Sequence, residues 1–375
     1  MQKKQLFFLL FSMNLGGVEK SLLGLLSLLD REEYDIHIGL LRKEGALLDN
    51  IPSWVVVHEC FKEQWDVLNR PPLLTIKSFF YKGNFMEAIM HLFLYIIYKV
   101  SGDRTLFYKY ILRKESSIDI CFDKAYAYAG PASMLDYYIC RKIKAKEKYG
   151  WIHYDIKRFG IDKVLTRKLY KDYKKIYVVS ETAKSKFDEL FPEFCQKTEV
   201  RYNVVSKEQI LSLAEQGDTF TDDFQGTRIL TVGRLSQEKG QDVAVSTLKM
   251  LVDKGCDVKW YFVGEGNLRT ICEQKASELG VSDRVVFLGL QTNPYGYMRD
   301  CDIYVQPSRH EGYCITLAEA RCFTAPIVAT NFTGAEEQLR TYPQSIVTGM
   351  AAEDVADGVT SLLSKKSCRE KWTIE

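Results

Sequence analysis

Glu311-Gly312-Tyr313-Cys314-Ile315-Thr316-Leu317-Ala318-Glu319 is the stretch that decides how the rest of this chain is read. An apolar run, Ile303-Tyr304-Val305, precedes it and is ended by Pro307 and Ser308, so the segment falls in a loop at the carboxyl end of a strand. Leu317-Ala318-Glu319-Ala320 reads as the first turn of a helix, with Thr316 as N-cap and Glu319 completing a capping box. The amides and positive dipole end of such a helix start favour an anion. Two carboxylates, Glu311 and Glu319, frame that anion site. An isolated pair at this spacing is most simply a cap and a solvated loop acid; the neighbouring segments argue for more.

Upstream, Arg228–Val232 reads as a strand, and Gly233-Arg234-Leu235-Ser236-Gln237-Glu238-Lys239-Gly240 follows it and opens a helix that ends near Lys254-Gly255. A cationic loop at a helix start suits a diphosphate, because Arg234 offers a planar fork for oxygens and Lys239 a mobile point charge. Strand-and-turn pairs come next: Lys259–Val263 with Gly264-Glu265-Gly266-Asn267, then Arg284–Leu288 with Gly289-Leu290. Asp302–Val305 leads into the two-carboxylate segment, and Ala325–Ala329 with Thr333-Gly334 comes after it.

The glycine-flanked Arg-Lys turn, Pro307-Ser308-Arg309-His310-Glu311-Gly312 and Glu319-Ala320, in that order, resemble the retaining glycosyltransferases of family 4. These are group 1 glycosyltransferases of the surface-polysaccharide type. Their GT-B fold is α/β, two Rossmann-like doubly wound domains facing each other across a cleft. The resemblance is strong across about 228–340 and weaker but continuous through 1–205. It implies that Arg234 and Lys239 hold the donor diphosphate and stabilise the leaving group, helped by backbone amides at Ile315 and Thr316. It further implies that Glu319 binds ribose hydroxyls and Glu311 the donor sugar, and that the turns with Gly264 and Leu290 lie around the base and sugar diphosphate.

The chain has 375 residues and is 46% apolar, enough for two α/β domains. Ten cysteines form no C-x-x-C pair and read as reduced, mostly buried thiols. The five histidines, at 37, 58, 91, 153 and 310, make no metal-ligand spacing, and Asp222-Asp223 lacks a D-x-D spacing. No metal or cofactor is expected; the two cations and a helix start would serve in place of a metal ion. The apolar run Leu6–Phe11 is too short for a signal peptide or a membrane span, so the expected location is cytoplasmic, peripheral on the inner face of the membrane. Charge is asymmetric: residues 1–205 hold 33 Lys+Arg against 25 Asp+Glu, and the remainder 18 against 24. A basic half suggests contact with anionic material such as phospholipid headgroups.

In that basic half, Gln5–Phe11 reads as a buried strand, Asn14-Leu15-Gly16-Gly17 as a turn and Val18–Leu29 as a helix. By the resemblance, Gly16 and Gly17 form the loop that lies across the cleft from the donor phosphates. Further strands are expected near Tyr34–Leu41, Trp54–Val57, Ile118–Phe122, Tyr149–His153 and Ile176–Val179. His153 ends one of them, where α/β folds bind ligands, and the resemblance puts a histidine of this loop near the donor sugar. The stretch Leu73–Lys114 is aromatic and basic, and reads either as helices packed inside the domain or as an interfacial amphipathic surface. Arg141, Lys142, Lys144 and Lys146 add positive charge.

The expected domains are 1–203 on the acceptor side and 204–365 for the nucleotide-sugar donor, with a tail over 366–375 returning to the first domain. The expected reaction moves a sugar from a UDP- or GDP-sugar to a hydroxyl of a lipid-linked or glycan acceptor, without nucleic acid. A non-catalytic nucleotide-binding or membrane-docking module of the same fold is the alternative.

Overall fold

The structure, a computed structural model, describes residues 3–61, 70–115, 118–131 and 133–366. The expected tail therefore lies, but for residue 366, outside the described residues. The chain divides into two compact units, Met1–Val179 with Lys184–Arg201, and Ser180–Ala183 with Tyr202–Glu375.

The first unit is built on seven strands: β1 Lys4–Leu10, β2 Tyr34–Leu40, β3 Val56–Glu59, β4 Cys121–Gly130, β5 Lys144–Ile152, β6 Lys175–Val178 and β7 Thr198–Val200. They run in the order β3-β2-β1-β4-β5-β6-β7, each neighbouring pair parallel. A ladder of stacked rings crosses one face, Phe8 on Tyr126 at 4.8 Å, Tyr126 on Tyr149 at 4.9 Å and Tyr149 on Tyr177 at 5.6 Å. Such pairs fix register as well as bury surface.

The second unit repeats the plan with six strands: β8 Thr227–Val232, β9 Val258–Val263, β10 Val285–Phe287, β11 Ile303–Gln306, β12 Ile327–Thr330 and β13 Ser345–Thr348. Their order is β10-β9-β8-β11-β12-β13. Both faces are covered, and successive residues of one strand feed opposite cores. Ile229, Trp260 and Phe262 join one cluster while Leu230, Tyr261 and Val263 join the other.

Several local expectations are corrected. β4 runs on to Gly130 where the expected strand stops at Phe122, because Asp123 and Lys124 interrupt the apolar run without breaking the ladder. β5 starts at Lys144, so Lys144 and Lys146 are strand residues paired with Asp119 at 2.8 Å and Asp123 at 2.7 Å. β3 lies two residues later than expected, and the first helix is Gly17–Leu26. β7 and β13, of 3 and 4 residues, are too short to show a period and were not anticipated.

Candidate functional site

In a sheet of order 3-2-1-4-5-6 the chain leaves neighbouring strands in opposite directions at one point, and ligands bind beyond the carboxyl ends there. In the second unit that point lies between β8 and β11. The loop after β8 carries Arg234 and Lys239, and the loop after β11 carries Glu311. Lys239 Nζ stands 2.6 Å from Glu311 Oε1. Ser308 Oγ donates to the same carboxylate oxygen at 2.7 Å and receives a hydrogen bond from Gln306 Nε2 at 2.8 Å. Gln306 Oε1 in turn accepts from Tyr304 at 2.8 Å and from Thr316 at 3.1 Å. The pair thus sits at the end of a buried polar chain that fixes the Glu311 rotamer.

Arg309 binds the two loops together. Its fork donates to both oxygens of Asp242, at 2.7 and 2.6 Å, and its amide donates to the Glu238 carbonyl at 2.7 Å. Gly240 holds φ 72°, and a Cβ there would collide with the Pro307 carbonyl, so only glycine lets the loops approach this closely. Burial opposes the charge on Lys239 and so does Arg234, but Glu311 outweighs them and holds the lysine pKa above its ordinary value. Arg234 is exposed, and its guanidinium makes no hydrogen bond or ion pair among the described residues. One cation is thus committed to a carboxylate and one is open to an anion.

Thr316 does not cap the helix Ile315–Ala320. Cys314 occupies the N-cap with φ 59° and ψ 80°, and no side chain caps that end. The Thr316 hydroxyl is drawn instead to Gln306, and Glu319 lies inside the helix, buried, accepting from the Tyr295 hydroxyl at 2.7 Å. The capping-box expectation is therefore replaced by two tertiary hydrogen bonds. Gly264 and Leu290 follow β9 and β10 at the same end of the sheet, where the Gly264 amide donates to the Gly289 carbonyl at 2.8 Å.

Gly16, Gly17 and His153 belong to the first unit. Gly16 is the N-cap of helix Gly17–Leu26 after β1, the strand beside the corresponding switch point. His153 follows β5, its amide donating to the Gly130 carbonyl at 3.1 Å. Its ring centroid lies 4.8 Å from that of Tyr128, whose hydroxyl is 2.8 Å from Ser21 Oγ on the Gly-Gly helix. Tyr128 and Ser21 link two expected site elements, and neither carried a motif signal. Tyr295 and Asp242 were likewise missed, because their partners Glu319 and Arg309 lie 24 and 67 residues away, whereas Gln306, whose partners are near in sequence, is an uncharged strand residue with no motif signal.

Asp222 proves structural: it accepts from Tyr261 at 2.6 Å, Arg228 at 3.0 Å and Lys259 at 3.2 Å. Among the described residues no group of three or more His, Cys, Asp or Glu is placed to hold a metal ion. No helix among them is long and apolar enough to cross a membrane.

Residues 223–375 match the family described as Glycosyl transferases group 1. Among curated relatives, the chain is 26% identical over 184 residues to an uncharacterized glycosyltransferase of Methanocaldococcus jannaschii, covering 47% of this chain and 45% of that protein. It is 29% identical over 169 residues to the N-acetylgalactosamine-N,N'-diacetylbacillosaminyl-diphospho-undecaprenol 4-alpha-N-acetylgalactosaminyltransferase of Campylobacter jejuni, covering 44% of each. The chain thus spans under half the length of the curated relatives it matches. Among solved structures, HepE of Anabaena in complex with UDP superposes with a TM-score of 0.64 at 18% identity, covering 97% of this chain and 90% of that one. The fold is GT-B.

Proposed function

We propose that this chain is a retaining glycosyltransferase of family 4 that moves a sugar from a nucleotide diphosphate sugar to a hydroxyl of a lipid-linked glycan. The observation that carries the reading is the Lys239–Glu311 pair at the switch point of the second sheet, with Arg234 open beside it. In this reading Arg234 and Lys239 hold the diphosphate and stabilise the charge that develops as the leaving group departs. The amides of Ile315 and Thr316 add to that stabilisation. Glu311 holds hydroxyls of the donor sugar and Glu319 those of the ribose. Gly264 and Leu290 border the base and sugar diphosphate. His153 contacts the transferred sugar, and Gly16 and Gly17 serve the donor phosphates.

HepE of Anabaena has been solved with UDP-glucose, which supports a UDP-sugar as the first donor to try. The acceptor in the Campylobacter relative's name is a diphospho-undecaprenol, which supports a membrane-presented acceptor here. The first unit fits that presentation. Helix Phe85–Ser101 exposes Met86, Ile89, Phe93, Ile96 and Val100, a single stripe at helical spacing, and Leu73, Leu74, Phe80 and Tyr81 are exposed on helix Pro72–Tyr81. Exposed Lys77, Lys82 and Lys99 accompany them, the combination that binds an anionic interface. Arg141, Lys144 and Lys146 are paired with Asp172, Asp119 and Asp123, so the interface moves from them to these helices.

Incubation with radiolabelled UDP- and GDP-sugars tests the reading. Transfer or donor hydrolysis supports the enzyme, whereas nucleotide binding without turnover leaves the non-catalytic module.

A further inference from the structure

Between β3 and β4 the described residues of the first unit include the α-helices Pro72–Tyr81, Phe85–Ser101 and Thr105–Ile111. They border a cavity of about 190 Å³ whose lining includes Arg70, Thr75, His91, Tyr98 and Arg104. Thr75 is 5% exposed and His91 3%. Thr75 Oγ1 and His91 Nε2 both lack a hydrogen-bond partner among the described residues. His91 Nδ1 donates to the Glu87 carbonyl at 2.8 Å, so Nε2 is the ring atom left to serve the cavity. A buried polar atom without a partner keeps its desolvation cost, and two that line one cavity point to an occupant that bonds both. Two guanidiniums line it, those of Arg70 and Arg104, and Arg104 Nε also lies 3.8 Å from Asp162 Oδ2. Arg104 stacks on Tyr98 at 4.5 Å and donates to its hydroxyl at 2.8 Å, which holds a five-donor fork in place.

We propose that this cavity binds the phosphate group of a lipid. Phosphate oxygens accept from the Arg104 fork and the Thr75 hydroxyl. A hydrogenphosphate donates to neutral His91 Nε2, and a fully ionised one accepts from the protonated ring, so either state satisfies the histidine. The lipid source follows from the helices that line the cavity. Helix Phe85–Ser101 carries His91 and Tyr98 on its cavity side and the exposed Phe93 and Ile96 on the other, and Leu73 and Leu74 flank Thr75. The helices that line the cavity are thus the ones that expose apolar side chains to an alkyl chain. The lipid source rests on the membrane reading above; the phosphate chemistry does not.

Titration calorimetry with decyl phosphate below its micelle concentration, inorganic phosphate and decyltrimethylammonium tests this. Decyl phosphate should bind one per chain, and inorganic phosphate at least tenfold more weakly. The ammonium should not bind. Arg104→Gln should weaken decyl phosphate about tenfold to a hundredfold and Thr75→Val about threefold to tenfold, both keeping the parent circular dichroism. Absence of decyl phosphate binding, or equal binding by both variants, overturns the cavity site. Inorganic phosphate binding as tightly as decyl phosphate overturns the lipid source. Monomeric decyl phosphate needs no bilayer, so failure of liposome flotation alone would sink the membrane reading and leave the cavity standing.

Discussion

Lys239 Nζ lies 2.6 Å from Glu311 Oε1, although the two residues are 72 positions apart. The carboxylate is buried and also bound by Ser308, so the ammonium is held where two strands of the second sheet diverge. Lys239→Ala should lower kcat by about tenfold to a thousandfold, the range for a lost transition-state donor. It should also cost about 1–3 kcal/mol of stability, because Glu311 keeps its burial and loses its cation. Turnover equal to the parent in a radiolabelled-donor assay would remove Lys239 from the diphosphate clamp.

Glu319→Gln keeps the shape of the side chain and an acceptor for Tyr295, so the fold should hold. Nucleotide binding should weaken by about 1–3 kcal/mol as a charge-assisted hydrogen bond is lost. Calorimetric titration with UDP decides it: equal affinity in mutant and parent would leave Glu319 as a purely structural partner of Tyr295.

Asp222 predicts an acid limit. Burial raises its pKa, but the Tyr261 hydroxyl, Arg228 and Lys259 together outweigh burial and bring it from 3.8 down to about 2. A depressed carboxylate contributes stability that is complete above its unfolded value and is lost as pH falls from about 4 to about 2. Asp222→Asn should therefore flatten the loss of stability over that interval by on the order of 2 kcal/mol. Denaturant melts at pH 5, 3.5 and 2.5 read it directly, and parallel slopes for mutant and parent would refute it.

Gly240→Ala should be among the most damaging small substitutions. The residue holds φ 72° and a Cβ would meet the Pro307 carbonyl, so the loops must part. A loss of about 1–3 kcal/mol is expected, with donor turnover falling alongside. A melting temperature unchanged from the parent would mean that the loops adjust at no cost.

Phe93→Asn with Ile96→Asn should abolish most flotation on anionic liposomes while leaving circular dichroism unchanged, since both side chains are exposed. Each is worth about 1.5–3 kcal/mol when buried in an apolar phase, so partitioning should fall at least tenfold. Flotation should also weaken with added salt, which screens Lys77, Lys82 and Lys99. Flotation unaltered by both changes would assign the stripe another role.

The parallel βα plan of both units, and the carboxyl ends of β1, β5, β8 and β11, are legible in the amino-acid sequence. Apolar runs such as Leu6–Leu10 and Ile229–Val232, closed by Gly16-Gly17 and Gly233, are local signals, and a strand buried on both faces needs nothing else to be legible. The same runs put Arg234, Lys239, Glu311 and His153 in loops at carboxyl ends. Which groups those side chains meet depends on contacts between segments far apart in the chain. Thr316 has the type and spacing of a cap, yet its hydroxyl turns to Gln306, ten residues back on β11, and the N-cap goes to Cys314 in a left-handed conformation. Arg309 forks onto Asp242 across 67 residues, and Tyr128 reaches Ser21 across 107. Hydrogen-bond partners of this kind are set by strand order and register, which no local propensity encodes. Helix Phe85–Ser101 shows the same division: periodicity shows an amphipathic helix, but only packing decides that His91 turns inward while Phe93 and Ile96 stay outside.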